Sequence, residues 1–335
     1  MSKERTRIVA GCMTGTSLDG LDVALVKIIG TGLEMKAELL GHHALSMPED
    51  LRSILMSLAS GEANEPIVYM RAARALGELH ADGLEQLLAG ELASPMDAPI
   101  DFNTAHGQTI WHAPRDGEKE LGGGPKCWQH FDPWQIVKRL NIPVCYDLRQ
   151  ADLIAGGEGA PLTPIADWVM YGKQASLVIN LGGIANYTSI ARGFEEIWAG
   201  DLCGCNMILD GITQRLIGQP YDLNGEIALK GKHHPDLYAI VSDAINQIEK
   251  VDPKLKQQSL GREQFPETWF ATLFAQIEPK GMPEDILHNV VSCVANIVAT
   301  PIDWLDEDTW PDDKEHTVIV AGGGARNRAL VEAIR

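Results

Sequence analysis

The sequence has no surplus of basic residues. Its 335 residues include 28 Lys and Arg against 46 Asp and Glu, which gives a formal net charge of −18. Binding to a nucleic-acid backbone depends on Lys and Arg that displace counterions, so this balance argues against a nucleic-acid partner. An acidic protein can still bind ATP where Mg²⁺ and backbone amides neutralise the phosphates.

Long hydrophobic runs are also missing. Although 45% of the residues are hydrophobic, no uninterrupted apolar run reaches the length that spans a bilayer. The N-terminus, MSKERTR, is charged and passes directly into a short apolar run, so no signal peptide is visible. We therefore expect a cytoplasmic protein with no membrane partner.

Cysteines are few and show no framework spacing. They stand at Cys12, Cys127, Cys145, Cys203, Cys205 and Cys293. The close pair, Cys203 and Cys205, lacks both a Cys-x-x-Cys spacing and a second pair, as a metal or redox site would require. A reduced protein without a disulfide scaffold is expected.

The most informative segment covers residues 11–22, a polar turn between two apolar runs. Its small and polar positions are Gly15, Thr16, Ser17, Asp19, Gly20 and Asp22. Glycines permit close backbone approach, and hydroxyls and carboxylates suit phosphates bridged by a hydrated Mg²⁺. The same residues are ordinary in a β-hairpin turn, and the segment alone leaves both interpretations open.

Apolar periodicity predicts an α/β protein. Strands are predicted at residues 7–10, 22–28, 34–44, 100–104, 143–147, 176–180, 185–191 and 317–321. Helices are predicted after Pro48 and at residues 66–88, 133–140 and 206–216. A strand–glycine turn–strand unit occurs near Gly15 and again near Gly182, which indicates two lobes of duplicated architecture, at residues 1–140 and 141–335.

A third glycine-rich turn, at Gly322, Gly323 and Gly324, follows a predicted strand and precedes a predicted helix. This placement suits an anion or a closely approaching nucleotide. The spacing differs from the dinucleotide pattern G-x-G-x-x-G, so a Rossmann domain is disfavoured.

The order of these turns resembles the actin/Hsp70/sugar-kinase superfamily, and the individual motifs resemble those of anhydro-N-acetylmuramic acid kinases. The matching motifs are GTSLDGLD (15–22), HGQTI (106–110), DLR (147–149), GGEGAPL (156–162), NLGGIAN (180–186), GRE (261–263) and GGGARN (322–327). The resemblance implies two ribonuclease-H-like domains around an ATP cleft. It also implies a Mg²⁺- and ATP-dependent kinase that opens the 1,6-anhydro ring of its sugar and phosphorylates O6 in peptidoglycan recycling, and a homodimer.

The resemblance assigns the site residue by residue. Asp210 would be the base that activates water, and Arg149 would orient the sugar or the water. His106, Gln108 and Asn206 would contact the sugar, while Asp19 would associate with Mg²⁺. The phosphate-binding positions would be Gly15, Thr16, Ser17, Leu18, Asp19, Gly20, Leu21, Asp22, Gly182, Gly183 and Asn186, and Gly322, Gly323, Gly324 and Asn327 would border the adenosine.

Helical spacing gives Asp210 a second interpretation. If residues 206–216 are helical, one stripe contains Asn206, Asp210, Thr213 and Gln214, and another contains Ile208, Ile212 and Leu216. Spacing alone favours a solvated polar stripe opposite a core-facing one. The match of Asp210 to the family aspartate is what favours a base.

Three features depart from the family pattern. Cys203-Gly204-Cys205 replaces a Gly-Pro-Gly turn, so the backbone is expected to be strained if it needs positive φ there. His130 and Phe131 replace an Ile-Gly pair in the expected sugar region. The chain ends at Arg335 whereas the family continues, which indicates a truncated C-terminal part. A levoglucosan-type kinase and a catalytically silent ATP-binding relative therefore stay open as alternatives.

Overall fold

A computed structural model describes residues 5–15, 18–90, 98–113, 124, 126–175, 177–190, 193–248, 265–306 and 316–335. The chain divides into two compact units, Met1–Leu162 and Thr163–Arg335. We call them unit 1 and unit 2. Each has a hydrophobic core of its own.

Unit 1 is built on a five-stranded sheet of order β3-β2-β1-β4-β7. Its strands are β1 (Thr6–Thr14), β2 (Gly20–Ile29), β3 (Lys36–Ser46), β4 (Phe102–Ala105), β5 (Gln108–Ala113), β6 (Lys126–His130) and β7 (Val144–Tyr146). Its helices are α1 (Glu49–Ala59), α2 (Pro66–Ala89), α3 (Trp134–Leu140) and α4 (Leu148–Ile154). Strands β1, β2 and β3 pair antiparallel, whereas β4 and β7 continue the sheet in parallel. Strands β5 and β6 form a separate hairpin.

Helix α2 covers one face of this sheet. Pro66 occupies its first turn, where the missing N–H costs no hydrogen bond. Gly83 faces the sheet, and a Cβ there would lie 2.8 Å from Val23 and 2.9 Å from Leu45. A Cβ there would displace these methyl groups, so the glycine allows the helix to pack closely against β2 and β3.

Unit 2 repeats the strand arrangement in a four-stranded sheet of order β10-β9-β8-β11. Its strands are β8 (Leu177–Leu181), β9 (Ile184–Ser189), β10 (Trp198–Gly204) and β11 (Val318–Ala321). Its helices are α5 (Pro164–Tyr171), α6 (Asn206–Ile217), α7 (Pro235–Ile248), α8 (Glu267–Ile277), α9 (Pro283–Asp306) and α10 (Arg328–Ile334). In both sheets the third, second and first strands are antiparallel neighbours, and a fourth lies parallel to the first. The first four strands of the two sheets therefore share one order.

Helix α9 is the one described segment that is long and apolar enough to cross a membrane. More than half of its candidate span, Pro283–Asp303, is buried within the protein. Leu287, Val290 and Val294 are among its residues in the core of unit 2. Its apolar surface is therefore used in packing.

The division between the units differs from the predicted one. The structure places it after Leu162, whereas the sequence placed it after residue 140. The reason is that β7 pairs with β4, Thr104 opposite Cys145, and so belongs to the first sheet. The hairpin of β5 and β6 was not predicted, because its strands are short and contain polar residues on both faces.

Candidate functional site

Unit 1 contains a cavity of about 310 Å³ bordered by β1, β2, β4 and β6 and by the start of α4. Its lining is mostly apolar. The lining residues are Gly11, Cys12, Met13, Asp22, Ala24, Thr104, Ala105, His106, Gln129, Leu148, Arg149 and Leu162. The predicted residues His106 and Arg149 thus meet at one cavity, and Asp22 also reaches it.

His106 is held in one tautomer. Its backbone N–H donates to the carbonyl of Cys12 at 2.9 Å, which fixes the loop beside β1. Its Nδ1 lies 2.9 Å from the carbonyl oxygen of Gly107, and a carbonyl can only accept, so Nδ1 carries the proton. Its Nε2 then accepts a hydrogen bond from Arg149 Nε at 3.1 Å.

Electrostatics agree with this tautomer. Burial, and after it the positive charge of Arg149, lowers the pKa of His106 to about 4. The ring is therefore neutral near pH 7 and can accept the guanidinium hydrogen bond. An imidazolium ring would instead repel Arg149.

Gln129, which the sequence analysis did not assign, completes this group. Its Oε1 accepts from the Thr109 hydroxyl at 2.8 Å, and its Nε2 faces His106 Nε2 at 3.4 Å. Gln108, which was predicted to contact the sugar, is only 2% exposed and does not line the cavity. Gln129 lies opposite Thr109 across the β5–β6 hairpin. The sequence would predict the position of Gln129 beside His106 only if the register of this hairpin were known.

Arg149 is anchored at two ends. Besides Nε, its NH1 donates to the carbonyl oxygen of Gly159 at 2.7 Å. Asp147, two residues earlier, adopts a left-handed conformation (φ 60°, ψ 40°), which is costly for a residue with a Cβ. Burial raises the pKa of the Asp147 carboxyl, and one of its oxygens is buried without a hydrogen-bond partner. Such strain and desolvation are typical of functional sites.

The predicted phosphate loop of residues 15–22 is described in part, since Thr16 and Ser17 lie outside the described residues. Leu18 and Leu21 point into the core, with exposures of 0% and 1%, so only their backbones are available to a ligand. Gly20 is required by the sheet, because a Cβ would lie 2.5 Å from the carbonyl oxygen of Leu45.

The two carboxylates of this loop have different environments. Asp19 has an exposed side chain, and its carbonyl oxygen accepts from the Met47 amide at 3.0 Å. Asp22 lies within β2, and its Oδ1 is 3.0 Å from Nε2 of His42 on the neighbouring strand. Asp22 is therefore paired with a protein group within β2, and Asp19 lies just before this strand.

His130 and Phe131, the pair that departs from the family pattern, do not line the cavity of unit 1. Nε2 of His130 donates to the carbonyl oxygen of Tyr69 on α2 at 2.8 Å. Phe131 packs with its ring centroid 4.7 Å from that of His80, also on α2. Both side chains serve the packing of the hairpin on α2.

In unit 2, the turn between β8 and β9 is joined to the start of α6. The amides of Cys205 and Asn206 donate to the carbonyls of Gly183 and Gly182, at 2.8 and 3.1 Å. The Asn206 side chain adds a bond from Nδ2 to the carbonyl oxygen of Leu181 at 3.0 Å. Asn206 therefore braces the glycine turn.

The third glycine turn packs against the same group. A Cβ on Gly324 would lie 2.7 Å from Leu181 Cβ and 2.8 Å from Asn206 Oδ1. Gly322 has φ +83°, a conformation that favours glycine. Gly322 and Gly323 are exposed, so their backbones are accessible to a ligand.

Asp210 lies one helical turn after Asn206, on the same side of α6, and is half-buried. Burial raises the pKa of the Cys205 thiol to about 12, and the Asp210 carboxylate adds to this rise. The predicted polar stripe needs one correction. Thr213 is 1% exposed and donates to the carbonyl oxygen of Leu209 at 2.7 Å, because a hydroxyl can be buried where the helix backbone accepts its proton.

The positive φ considered for Cys203 and Cys205 does not occur. Cys205 nevertheless has φ −112° and ψ −99°, which lies outside the common helical and extended regions. Both side chains are fully buried in the core of unit 2. Cys203 continues strand β10, and both thiols pack as small apolar groups.

Two predicted asparagines have structural contacts. Asn327 caps α10, where its Oδ1 accepts from the Leu330 amide at 3.1 Å. Asn186 lies in β9 between Asn180 and Asp201 of the flanking strands.

Within the described ranges, no cluster of three or more His, Cys, Asp or Glu side chains is arranged to hold a metal ion. This does not disfavour Mg²⁺, which keeps several waters and binds one or two carboxylates together with the phosphates of its substrate. A single exposed carboxylate such as Asp19 fits that mode of binding.

Comparison with known proteins decides the family. The model of the anhydro-N-acetylmuramic acid kinase family matches residues 7–335. The chain belongs to this family.

Curated relatives agree with the assignment. The anhydro-N-acetylmuramic acid kinase of Bacillus cereus (strain 03BB102) is 33% identical over 331 residues, which cover 98% of this chain and 83% of the relative. The Bacillus anthracis protein of the same name is 34% identical over 334 residues, with the same coverage. Among solved structures, component A of the (R)-2-hydroxyglutaryl-CoA dehydratase of Acidaminococcus fermentans has a TM-score of 0.42 at 11% identity and covers 98% of this chain and 87% of that one. This likeness is too weak to support an argument.

The motifs of the anhydro-N-acetylmuramic acid kinase family occur in both units. His106 of the HGQTI motif and Arg149 of the DLR motif both line the cavity of unit 1. In unit 2 the turns of the NLGGIAN and GGGARN motifs both contact Asn206. The GRE motif lies outside the described residues. Gln129 and Asp147 join the unit 1 group through tertiary contacts.

Proposed function

We propose that this protein is an ATP-dependent kinase of anhydro-N-acetylmuramic acid. It adds water across the 1,6-anhydro bond and transfers the γ-phosphoryl group to O6, which yields N-acetylmuramate 6-phosphate for cell-wall recycling. The observation that carries the proposal is the family match over residues 7–335, supported by relatives of that name.

Asp210 is the proposed base. Water attacks C1 while Asp210 takes its proton, the bond from C1 to O6 breaks, and O6 attacks the γ-phosphate with release of ADP. A half-buried carboxylate on the second turn of a rigid helix is suited to this role, because its direction is fixed by the backbone.

Arg149 and His106 are the proposed sugar-binding groups of unit 1. Arg149 is the cationic side chain among the described residues that line the cavity, since His106 is neutral. Asp22, the carboxylate of this lining, is paired with His42, so the fixed guanidinium in a mostly apolar lining favours an anionic sugar. The lactyl carboxylate of muramate supplies that charge, whereas levoglucosan is neutral, so we expect the muramate sugar to be preferred.

The glycine turns of unit 2 are the proposed ATP-binding elements. Exposed backbone at Gly322 and Gly323 suits adenosine, and the turn of Gly182 and Gly183 suits phosphate oxygens. In unit 1, Asp19 would associate with Mg²⁺, which supplies charge neutralisation at the phosphates.

The test is turnover in ¹⁸O-labelled water. The purified protein is mixed with Mg-ATP and either the muramate anhydrosugar or levoglucosan, and products are identified by mass spectrometry. We expect a 6-phosphosugar that carries ¹⁸O at C1 from the muramate sugar. Binding of ATP without any phosphosugar would contradict the proposal and favour a silent relative.

Asp210→Asn tests the base. We expect a loss of about 10²–10⁴-fold in kcat, as for removal of a general base, with ATP affinity within about twofold. Asp243→Asn, at an exposed position of α7, is the matched control and should keep full activity. A large loss of ATP binding in Asp210→Asn would assign the carboxylate to the nucleotide instead.

A further inference from the structure

Asp152 lies outside the cavity lining but is bonded to a residue that holds Arg149. It stands on α4, three residues after Arg149, and its Oδ2 accepts a hydrogen bond from the Gly159 amide at 2.7 Å. The carbonyl oxygen of that same Gly159 accepts from Arg149 NH1 at 2.7 Å. One glycine thus connects the carboxylate to the guanidinium.

The loop that contains Gly159 is shaped by this carboxylate. The amide of Gly157 donates to the backbone carbonyl of Asp152 at 2.9 Å. A Cβ on Gly157 would lie 2.1 Å from Asp152 Oδ2, so the loop passes directly over the carboxylate. Gly159 itself is buried with φ +74°, a conformation that an L side chain rarely adopts.

We infer that Asp152 is a positioning residue for Arg149. It pins Gly159 in its left-handed conformation, which aims the Gly159 carbonyl at NH1 and leaves Nε directed at His106. Without the carboxylate, the glycine loop has other conformations available, and Arg149 loses a fixed acceptor for its NH1 group. Any contribution of Asp152 to sugar binding rests on the proposed function of Arg149.

The spectroscopic test does not depend on kinase activity. In protein labelled with ¹⁵N-arginine, the Nε–H signal of Arg149 is assigned by its loss in Arg149→Lys. We expect Asp152→Ala to accelerate hydrogen exchange at this Nε–H and rotation of the guanidinium group. Asp152→Asn retains an oxygen that accepts from Gly159 and should restore the wild-type signal.

Asp101→Ala is the matched control. Asp101 also accepts a backbone amide at 2.7 Å in unit 1, from Ile8, and it does not line the cavity. Its removal should leave the Arg149 signal unchanged. An unchanged signal in Asp152→Ala, or equal changes in both alanine variants, would overturn the inference.

Kinetics supply a second measurement. We expect Asp152→Ala to raise KM for the sugar about tenfold or more, with a smaller effect on kcat, because a displaced binding group costs affinity. The asparagine variant should recover most of the loss. If the wild-type protein forms no phosphosugar, the proposed function fails, while the guanidinium spectra still decide whether Asp152 positions Arg149.

Discussion

At the scale of single residues, burial sets the charge of the histidines in unit 1. His106 is neutral because it is buried beside Arg149, and its pKa is about 4. His80 on α2 is fully buried, donates from Nδ1 to the carbonyl of Leu76, and also has a pKa of about 4. Burial is the largest cause in both cases, since it disfavours the charged ring.

These lowered pKa values predict a loss of stability in mild acid. Above the ordinary histidine value of 6.5, the ring of His80 is neutral in both folded and unfolded chains. As the pH falls from 6.5 towards 4, the unfolded chain binds a proton that the folded protein does not, so the free energy of unfolding decreases. For one such histidine the decrease between pH 7.5 and 5.5 is about 1 kcal/mol.

His80→Phe should reduce this dependence. The phenyl ring keeps the contact with Phe131 and cannot take up a proton. Urea titrations of both proteins at the two pH values measure the effect. The idea fails if the variant loses as much stability on acidification as the wild-type protein.

At the scale of elements, the glycine turn of residues 322–324 combines two requirements. Gly324 is buried against Leu181 and Asn206 and has no room for a Cβ. Gly323 is exposed, and a Cβ there would meet only Asn206 Nδ2, at 3.6 Å. Packing therefore requires a glycine at position 324, whereas Gly323 is open to contact with a ligand.

The two alanine variants should separate these requirements. Gly324→Ala should lower the free energy of unfolding by about 1–3 kcal/mol, because the added methyl group overlaps its neighbours. Gly323→Ala should change it by less than about 0.5 kcal/mol, as expected of an exposed position. If ATP approaches this backbone closely, Gly323→Ala weakens ATP binding despite intact stability.

Calorimetry with ATP and denaturant titrations measure both quantities. Unchanged ATP affinity in Gly323→Ala would remove Gly323 from the nucleotide site. Equal stabilities of the two variants would contradict the packing argument.

At the scale of the whole molecule, the two units share the order of four sheet strands, and each has a separate core. Leu76 of α2 is fully buried in the core of unit 1, and Ile179 and Val290 lie in the core of unit 2. A defect in one core should therefore act first on the unit that contains it.

Leu76→Ala tests this separation. Truncation of a buried leucine costs about 2–5 kcal/mol, since it leaves a cavity. We expect faster amide exchange in β1, α1 and α2, with β8 and α9 protected as in the wild-type protein, measured by hydrogen exchange with mass spectrometry. Equal loss of protection in both units would show that they unfold as one.

The sequence predicted most of the described strands and the helices α1, α2, α3, α6 and α10, because their apolar residues repeat with clear periods, as in α2 and in the β8–β9 hairpin. It gave no prediction for helices α4, α5, α7, α8 and α9. It did not predict the β5–β6 hairpin, since the polar pairing of Thr109 with Gln129 leaves no such period. It also misjudged Thr213, because burial of a small polar group depends on which backbone or apolar neighbours it meets.

The sequence by itself determined the family and the residue types of the site, because its motifs follow the same order along the chain as those of the family. Only the tertiary structure decided which of those residues meet. His106 follows β4, and Arg149 lies in α4, which follows β7. The two side chains meet because β4 and β7 are parallel neighbours in one sheet. Within the segment of residues 11–22, the tertiary structure likewise buries Leu18 and Leu21 in the core of unit 1. Side-chain direction depends on strand register and on neighbouring elements, which local sequence patterns do not encode.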